Sequence, residues 1–67
     1  MARTTSTAER ITKAREKAGL TRYRLAKLSG IRSGHLHEIE AGLYEPKPST
    51  LKKLAEHLGV DYRELME

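Results

Sequence analysis

Two arginines at the start of a predicted helix are suited to bind a phosphate group, both by their residue type and by their position. Arg22 and Arg24 follow Thr21, whose hydroxyl is suited to cap that helix. The helix dipole disfavours cations in the first turn by about 0.3 to 1 kcal/mol each, so local stability does not explain these two residues. A phosphate bound by Arg22 and by the free amides of the same turn does explain them, with Arg24 and Tyr23 as further candidates. The alternative is that the arginines are only solvated.

The three histidines suggest a metal site at first inspection, but their spacing argues against one. His35 and His37 are two residues apart on a predicted helix and point to different sides of it, and no Cys or Asp lies three or four residues from either. His57 is predicted to be exposed on a later helix. Serine with histidine also raises hydrolase chemistry, yet the chain has no nucleophile elbow and no glycine-rich phosphate loop. We therefore expect no metal, no cofactor, no small-molecule ligand and no enzymatic activity.

The elements that position these residues have the layout of a helix-turn-helix. Residues 21–42, TRYRLAKLSGIRSGHLHEIEAG, predict two short amphipathic helices joined by a turn at Gly30, which is free to adopt the positive φ that the corner needs. Ala26 is small enough to let the second helix cross closely. The predicted apolar surface comprises Leu25, Leu28, Ile31, Leu36 and Ile39. The polar side chains on the solvent face are those of Arg22, Tyr23, Ser33, His35, His37 and Glu38. We expect that face to meet a DNA groove.

Capping residues set the bounds of the first three predicted helices. Ser6 and Glu9 form a capping box for a first helix over about residues 7–18. The second helix begins after its cap, Thr21, and ends at Ser29. The third helix extends from near Ser33 to Ala41.

A proline and a second capping box predict two further helices. Pro48 suits the first turn of a fourth helix, which Gly59 ends. Asp61 and Glu64 then open a short fifth helix that carries Leu65. The buried stripe of the fourth helix is predicted to be Leu51, Leu54, Ala55 and Leu58.

The composition predicts one small, compact, all-α domain of five helices. A chain of 67 residues buries only about 60% of the surface that it exposes when unfolded, so its core must be small. The absence of cysteine excludes disulfides and thiolate zinc sites, and no apolar run is long enough for a signal peptide or a membrane span. We expect a flexible arm over residues 1–5, a helix-turn-helix domain over residues 6–67 and a cytoplasmic location.

The charge is unevenly distributed along the chain. Residues 1–32 hold nine Lys and Arg and two Glu, a net charge of +7, whereas residues 33–67 have a net charge of −3. The N-terminal half is therefore the candidate to face a polyanion, although a basic bias for solubility is the alternative.

A set of apolar, small and turn residues spread over residues 8–65 matches a known family. The set comprises Leu25 and Ala26, Gly30, Ile31, Leu36, the run from Ile39 to Gly42, Pro46, and the run from Leu54 to Val60. By this pattern the chain resembles the Cro and lambda-repressor-like, or XRE, helix-turn-helix domains, five-helix DNA binders found mostly in bacteria and their phages.

The resemblance implies that the third helix enters the major groove of DNA while the second lies across the backbone above it. It also implies a structural, partly buried ion pair between Arg15 and Glu40. Residues matching the family's main contacts are Arg22, Ser33, Gly34 and Glu38, with His35 and His37 facing the same groove or its phosphate walls.

The start of the third helix departs from the commoner pattern of the family. Arg32 stands where Ser or Thr is frequent, so Ser33 is expected to cap the helix itself, at the expense of reading a base. Gly34 lets the DNA approach closely, and His35 is able to donate to a phosphate or to a purine edge.

Glu38 is repelled by a groove walled with phosphates unless it accepts a hydrogen bond from a cytosine amine, a pairing worth about 1 to 3 kcal/mol of discrimination. We hypothesise that Glu38 rejects wrong bases more than it adds affinity. The alternative is a tolerated charge at the rim.

Further phosphate contacts are expected outside the two central helices. Lys47 lies between two prolines in the loop after the third helix, where the resemblance implies a path beside the DNA backbone, with Tyr44 as its companion. Arg32 and Arg3 are also phosphate candidates, the latter in the N-terminal arm.

These features predict a sequence-specific regulator of transcription, of the repressor type, that binds double-stranded DNA. The regulator is expected to insert residues 33–41 into the major groove of an operator. It is expected to bind as a weak homodimer that forms on the DNA, since one domain covers about half of a site. The expected dimer surface is at the C-terminal end, around Val60, Tyr62, Leu65 and Met66.

A different class of function stays open at this point. The acidic stretch around Glu38, Glu40 and Glu45 is compatible with an antitoxin-like or adaptor module whose main partner is a protein. A steep loss of binding with rising salt distinguishes DNA from such a partner.

Overall fold

The computed structural model describes residues 6–66, and in this range the chain forms four α-helices and one turn of 3-10 helix. The helices are α1 (Thr7–Lys17), α2 (Arg22–Ser29), α3 (Ser33–Glu40) and α4 (Pro48–Leu58), and the 3-10 turn is Tyr62–Leu65. No strand occurs in this range. Over the same residues, no helix has the length and apolar character needed to cross a bilayer. The predicted arm and its Arg3 lie outside the described residues.

The prediction of five helices was wrong in its last element. The capping box of Asp61 and Glu64 is present, with both reciprocal hydrogen bonds formed, but it opens only the four residues Tyr62–Leu65. So short a segment closes hydrogen bonds between residues three apart and does not reach a full α-helical turn.

The other predicted helix starts and ends agree with the structure to within one residue. Ser6 and Glu9 form the capping box of α1, the Thr21 hydroxyl accepts from the Arg24 amide at α2, and Pro48 occupies the first turn of α4. Gly30 ends α2 with φ 73°, the left-handed conformation that lets the chain turn toward α3.

One apolar core joins all of these elements. Helix α2 packs on α3 and α4, while α1 packs on α3, α4 and the 3-10 turn. The core comprises Ile11, Leu25, Ala26, Leu36, Ile39, Leu51, Leu54, Ala55, Leu58 and Leu65.

Two residues are not where the sequence placed them. Leu28 was expected on the apolar surface but is 42% exposed, because the buried face of α2 is centred on Leu25, Ala26 and Ser29, about 100° around the helix from it. Leu65 was expected on a dimer surface but is 1% exposed, since the 3-10 turn directs it into the core.

Candidate nucleic-acid interface

The basic start of α2 is anchored by an acidic residue of α3. Arg22 Nε donates to Glu40 Oε1 at 3.3 Å, and Arg22 Nη1 lies 3.2 Å from His37 Nδ1. Local stability does not explain Arg22, and the structure adds a carboxylate that is distant in sequence and that offsets the unfavourable helix dipole. The Arg22 side chain is still 41% exposed, so it also faces the solvent.

Glu40 of α3 is an acceptor shared by two other helices, α1 and α2. Its side chain is 3% exposed, and Arg15 of α1 donates to it from Nε at 2.9 Å and from Nη2 at 3.2 Å. Thr12 Oγ1 lies 3.2 Å from Oε1, and Arg22 supplies the donor from α2. The third helix is thereby tied to α1 and α2 by charge-assisted hydrogen bonds. Sequence analysis missed Thr12, because nothing in its spacing indicates a partner 28 residues away.

The first turn of α3 is exposed and uncapped. Arg32 is the N-cap residue and makes no side-chain cap hydrogen bond, and Ser33 is already helical. The expectation that Ser33 caps the helix was wrong, because the extended backbone of Arg32 starts the helix one residue earlier. The Ser33 hydroxyl is consequently not used by the cap. Ser33 and Gly34 are both exposed.

Several backbone amides at the starts of α2 and α3 lack an acceptor in the described part of the chain. Among residues 6–66, nothing accepts from the amides of residues 33–35 at α3 or from those of Arg22 and Tyr23 at α2. Free amides at a helix start favour anions such as phosphate oxygens. The starts of α2 and α3 therefore both present free backbone donors.

His35 packs against the loop that follows α3. Its ring and that of Tyr44 meet edge to face with centroids 4.5 Å apart, and its Nδ1 lies 3.6 Å from Glu38 Oε1. Tyr44 is thus a companion of a histidine, whereas the sequence paired it with Lys47. Glu38 is 55% exposed.

The two histidines of α3 point to different partners, as their spacing predicted. His37 lies against Arg22, whereas His35 lies against Tyr44. No group of three or more potential metal ligands occurs within residues 6–66. His57 is exposed on α4, in agreement with the sequence prediction.

The remaining phosphate candidates are exposed side chains. Tyr23 is 63% exposed, and Lys27 Nζ approaches its hydroxyl at 3.4 Å and its ring centroid at 5.5 Å. Exposed cations also occur at Arg24, Arg32 and Lys47. The last is the N-cap residue of α4, with its side chain free of any cap hydrogen bond.

The clearest shifts in pKa lie away from this surface. Hydrogen bonds from the Arg63 side chain and then from its amide lower the pKa of the Asp61 carboxyl, and the same ion pair raises the pKa of Arg63. Both groups are exposed at the start of the C-terminal turn, so they stabilise that turn and not the α2–α3 surface.

The sequence profile of the helix-turn-helix family matches residues 11–65. The chain belongs to the XRE helix-turn-helix family. This helix-turn-helix domain is 42% identical over 59 residues to the HTH-type transcriptional repressor RghR of Bacillus subtilis (strain 168), a match covering 87% of the chain and 44% of RghR. The chain thus spans less than half of the length of that curated relative.

Two solved structures share the fold of this helix-turn-helix domain over nearly its whole length. The restriction-modification controller protein C.AhdI from Aeromonas hydrophila is 30% identical, with a TM-score of 0.85 and 90% of this chain and 91% of that chain covered. SinR, the master regulator for biofilm formation, solved in complex with DNA, is 27% identical, with a TM-score of 0.86 and coverage of 91% and 98%.

Proposed function

We propose that this protein is a sequence-specific regulator of transcription that binds double-stranded DNA and represses by occupying an operator. The observation that carries the proposal is the exposed first turn of α3, which has no side-chain cap, together with Arg22 of α2, which Glu40 anchors at the other end of α3. Family membership supports it, as does the likeness to a repressor and to a regulator solved with DNA.

In this proposal α3 lies in the major groove, and its first turn reads the bases. An α-helix fits that groove, and the outward residues of its first turns reach the base edges. The residues we assign to the groove are Ser33, Gly34, His35, His37 and Glu38. The Ser33 hydroxyl is included because the cap does not use it.

The phosphate contacts come from the two helix starts and the loop after α3. Arg22 and the free amides of its turn bind one phosphate, and Arg32 with the amides of residues 33–35 binds another. Tyr23, Arg24, Lys47 and Tyr44 extend this contact along the backbone, and Arg3 is a further candidate outside the described residues.

We propose that the protein binds as a homodimer on a palindromic operator, with two recognition helices separated by about 34 Å, one turn of B-DNA. The dimer surface is then formed around Val60, Tyr62 and Met66. Leu65 takes no part, because it is buried in the core of its own domain. We also propose that the protein acts in the cytoplasm and has no enzymatic activity.

Selection of bound duplexes from a random library tests this function. A palindromic consensus is expected, together with amide chemical-shift changes over residues 32–38 on titration with the selected duplex. Binding is expected to weaken steeply with salt, because each neutralised phosphate releases counterions. Absence of enrichment, or shifts confined to another surface, would overturn the proposal in favour of a protein partner.

A further inference from the structure

We propose that His37 is a positioning residue that holds the guanidinium of Arg22 ready for a DNA phosphate and does not itself read a base. This inference rests on the proposed function. It assigns different tasks to two side chains that the sequence had placed in one group of DNA contacts.

The proposal requires one tautomer of the histidine ring. Arg22 Nη1 lies 3.2 Å from His37 Nδ1. A guanidinium only donates, so a hydrogen bond here needs Nδ1 as the acceptor and the ring proton on Nε2. Its Nδ1 lone pair is committed to Arg22 and is not offered to the major groove.

Two acceptors of α3 lie within hydrogen-bond distance of two different nitrogens of the Arg22 guanidinium. Glu40 Oε1 accepts from Nε and His37 Nδ1 accepts from Nη1, which leaves Nη2 without an acceptor among residues 6–66. Glu40 is itself held by Arg15 and Thr12. The free nitrogen is thus carried on a guanidinium that two acceptors of α3 hold in place.

Such pre-positioning has a direct effect on affinity. A long side chain loses rotamer freedom when it binds, and a residue that is already held in the bound conformation loses less. The anchoring by Glu40 fixes Nε alone. The second hydrogen bond, from Nη1 to His37, fixes the rotation that decides where Nη2 points.

A double-mutant cycle on the affinity for the selected duplex tests the role of His37. His37→Ala is expected to weaken binding by about three- to tenfold, the range typical of one hydrogen bond. In the Arg22→Ala background the same change is expected to alter binding by less than about twofold, because the group it positions is absent. An equal loss in both backgrounds would show a direct contact of His37 with DNA, and no loss in either would show no role. Both results would overturn the proposal.

Two variants separate positioning from loss of fold. His57→Ala removes another exposed histidine, on α4, and is expected to bind as the wild type does. His37→Asn places a carbonyl acceptor near the position of Nδ1 and is expected to recover most of the affinity. Failure of His37→Asn to bind better than His37→Ala, with both variants folded by circular dichroism, counts against the proposal.

The free protein provides a readout that does not depend on DNA. Nitrogen-15 NMR of the His37 ring is expected to show the tautomer protonated at Nε2, and the Arg22 Nε–H signal is expected to exchange faster with water in His37→Ala. A ring protonated at Nδ1 overturns the proposal even if the duplex binds. If these signals are as expected and no duplex binds, the proposed function fails while the arrangement of His37 and Arg22 stands.

Discussion

Oε2 of Glu40, near the end of α3, accepts a 2.9 Å hydrogen bond from Nε of Arg15 on α1. The two side chains are 3% and 11% exposed, so this ion pair is almost entirely removed from water. A pair in such a setting contributes little net free energy when intact, but removal of one partner leaves an uncompensated buried charge.

Glu40→Ala is therefore expected to lower the free energy of unfolding by about 3 kcal/mol or more, a large share of the total stability of a domain of this size. Urea or thermal unfolding followed by circular dichroism measures the loss. Replacement of both partners, in Arg15→Met with Glu40→Leu, is expected to cost less than Glu40→Ala alone. A wild-type melting temperature for Glu40→Ala would contradict this account of the pair.

Two glycines give opposite expectations for the same substitution. Gly30 has φ 73°, and an alanine there is strained although open space surrounds its Cβ, so Gly30→Ala is expected to destabilise the domain by about 1 to 2 kcal/mol. Gly34 lies in α3 with no heavy atom within 4 Å of an added Cβ, so Gly34→Ala is expected to stabilise it by about 0.5 kcal/mol. Thermal unfolding compares the two variants under one condition. Destabilisation by Gly34→Ala, or none by Gly30→Ala, would contradict the backbone assignment.

The salt dependence of DNA binding is expected to identify the phosphate contacts. Arg22→Ala should weaken binding to all duplexes alike and reduce the slope of log K against log salt concentration by about 1, because one phosphate is no longer neutralised. Fluorescence anisotropy at several salt concentrations measures this slope. Lys13→Ala is the matched control, since Lys13 is an exposed cation of α1 that is not among the proposed phosphate contacts. An unchanged slope for Arg22→Ala would remove Arg22 from the phosphate contacts.

Glu38 is expected to affect specificity more than affinity. In Glu38→Ala the binding of mismatched duplexes should improve relative to the selected one, with discrimination at one base pair falling by about 1 to 3 kcal/mol. Competition binding with a panel of single-base variants measures this ratio. Equal gains on matched and mismatched sites would show that the carboxylate, which lies 3.6 Å from His35, is only a tolerated charge.

The ion pair at the start of the 3-10 turn gives an expectation about pH. Because hydrogen bonds from Arg63 lower the pKa of the Asp61 carboxyl in the folded protein, their stabilisation is present above the ordinary pKa of aspartate. It is lost as the pH falls through the lowered value. Arg63→Ala is expected to raise the pKa of Asp61 toward its ordinary value, as followed by NMR titration of the carboxyl. No change in that pKa would contradict the assigned cause.

Local signals in the sequence predicted most of the fold. The caps at Ser6 and Thr21, the proline in the first turn of α4, the turn at Gly30 and the apolar stripe of α4 each depend on residues a few positions apart. The structure contains all of them. Leu28 shows where such reasoning fails. The apolar side chain of Leu28 suits a core position. Which face of α2 is buried, however, depends on how α3 and α4 pack against α2, and the sequence of α2 alone does not determine that packing.

The candidate site likewise contains some features that the sequence predicted and others that it did not. The polar residues of α2 and α3 follow from the helix period, and the family resemblance implied the pair of Arg15 and Glu40. The contacts of Arg22 with Glu40 and His37 bridge two helices through side-chain rotamers, and a single sequence carries no signal for them. The charge of Glu40, assigned only a structural role at first, thus also acts on the surface proposed to meet DNA.

The open space around Gly34 has a consequence for how this fold diversifies. Residue 34 faces outward, and an added side chain meets nothing within 4 Å, while α3 is secured at its other end by Glu40 and by the buried Leu36 and Ile39. A different amino acid at this position therefore changes the chemistry that the helix presents to the solvent, while the buried contacts that hold α3 stay in place.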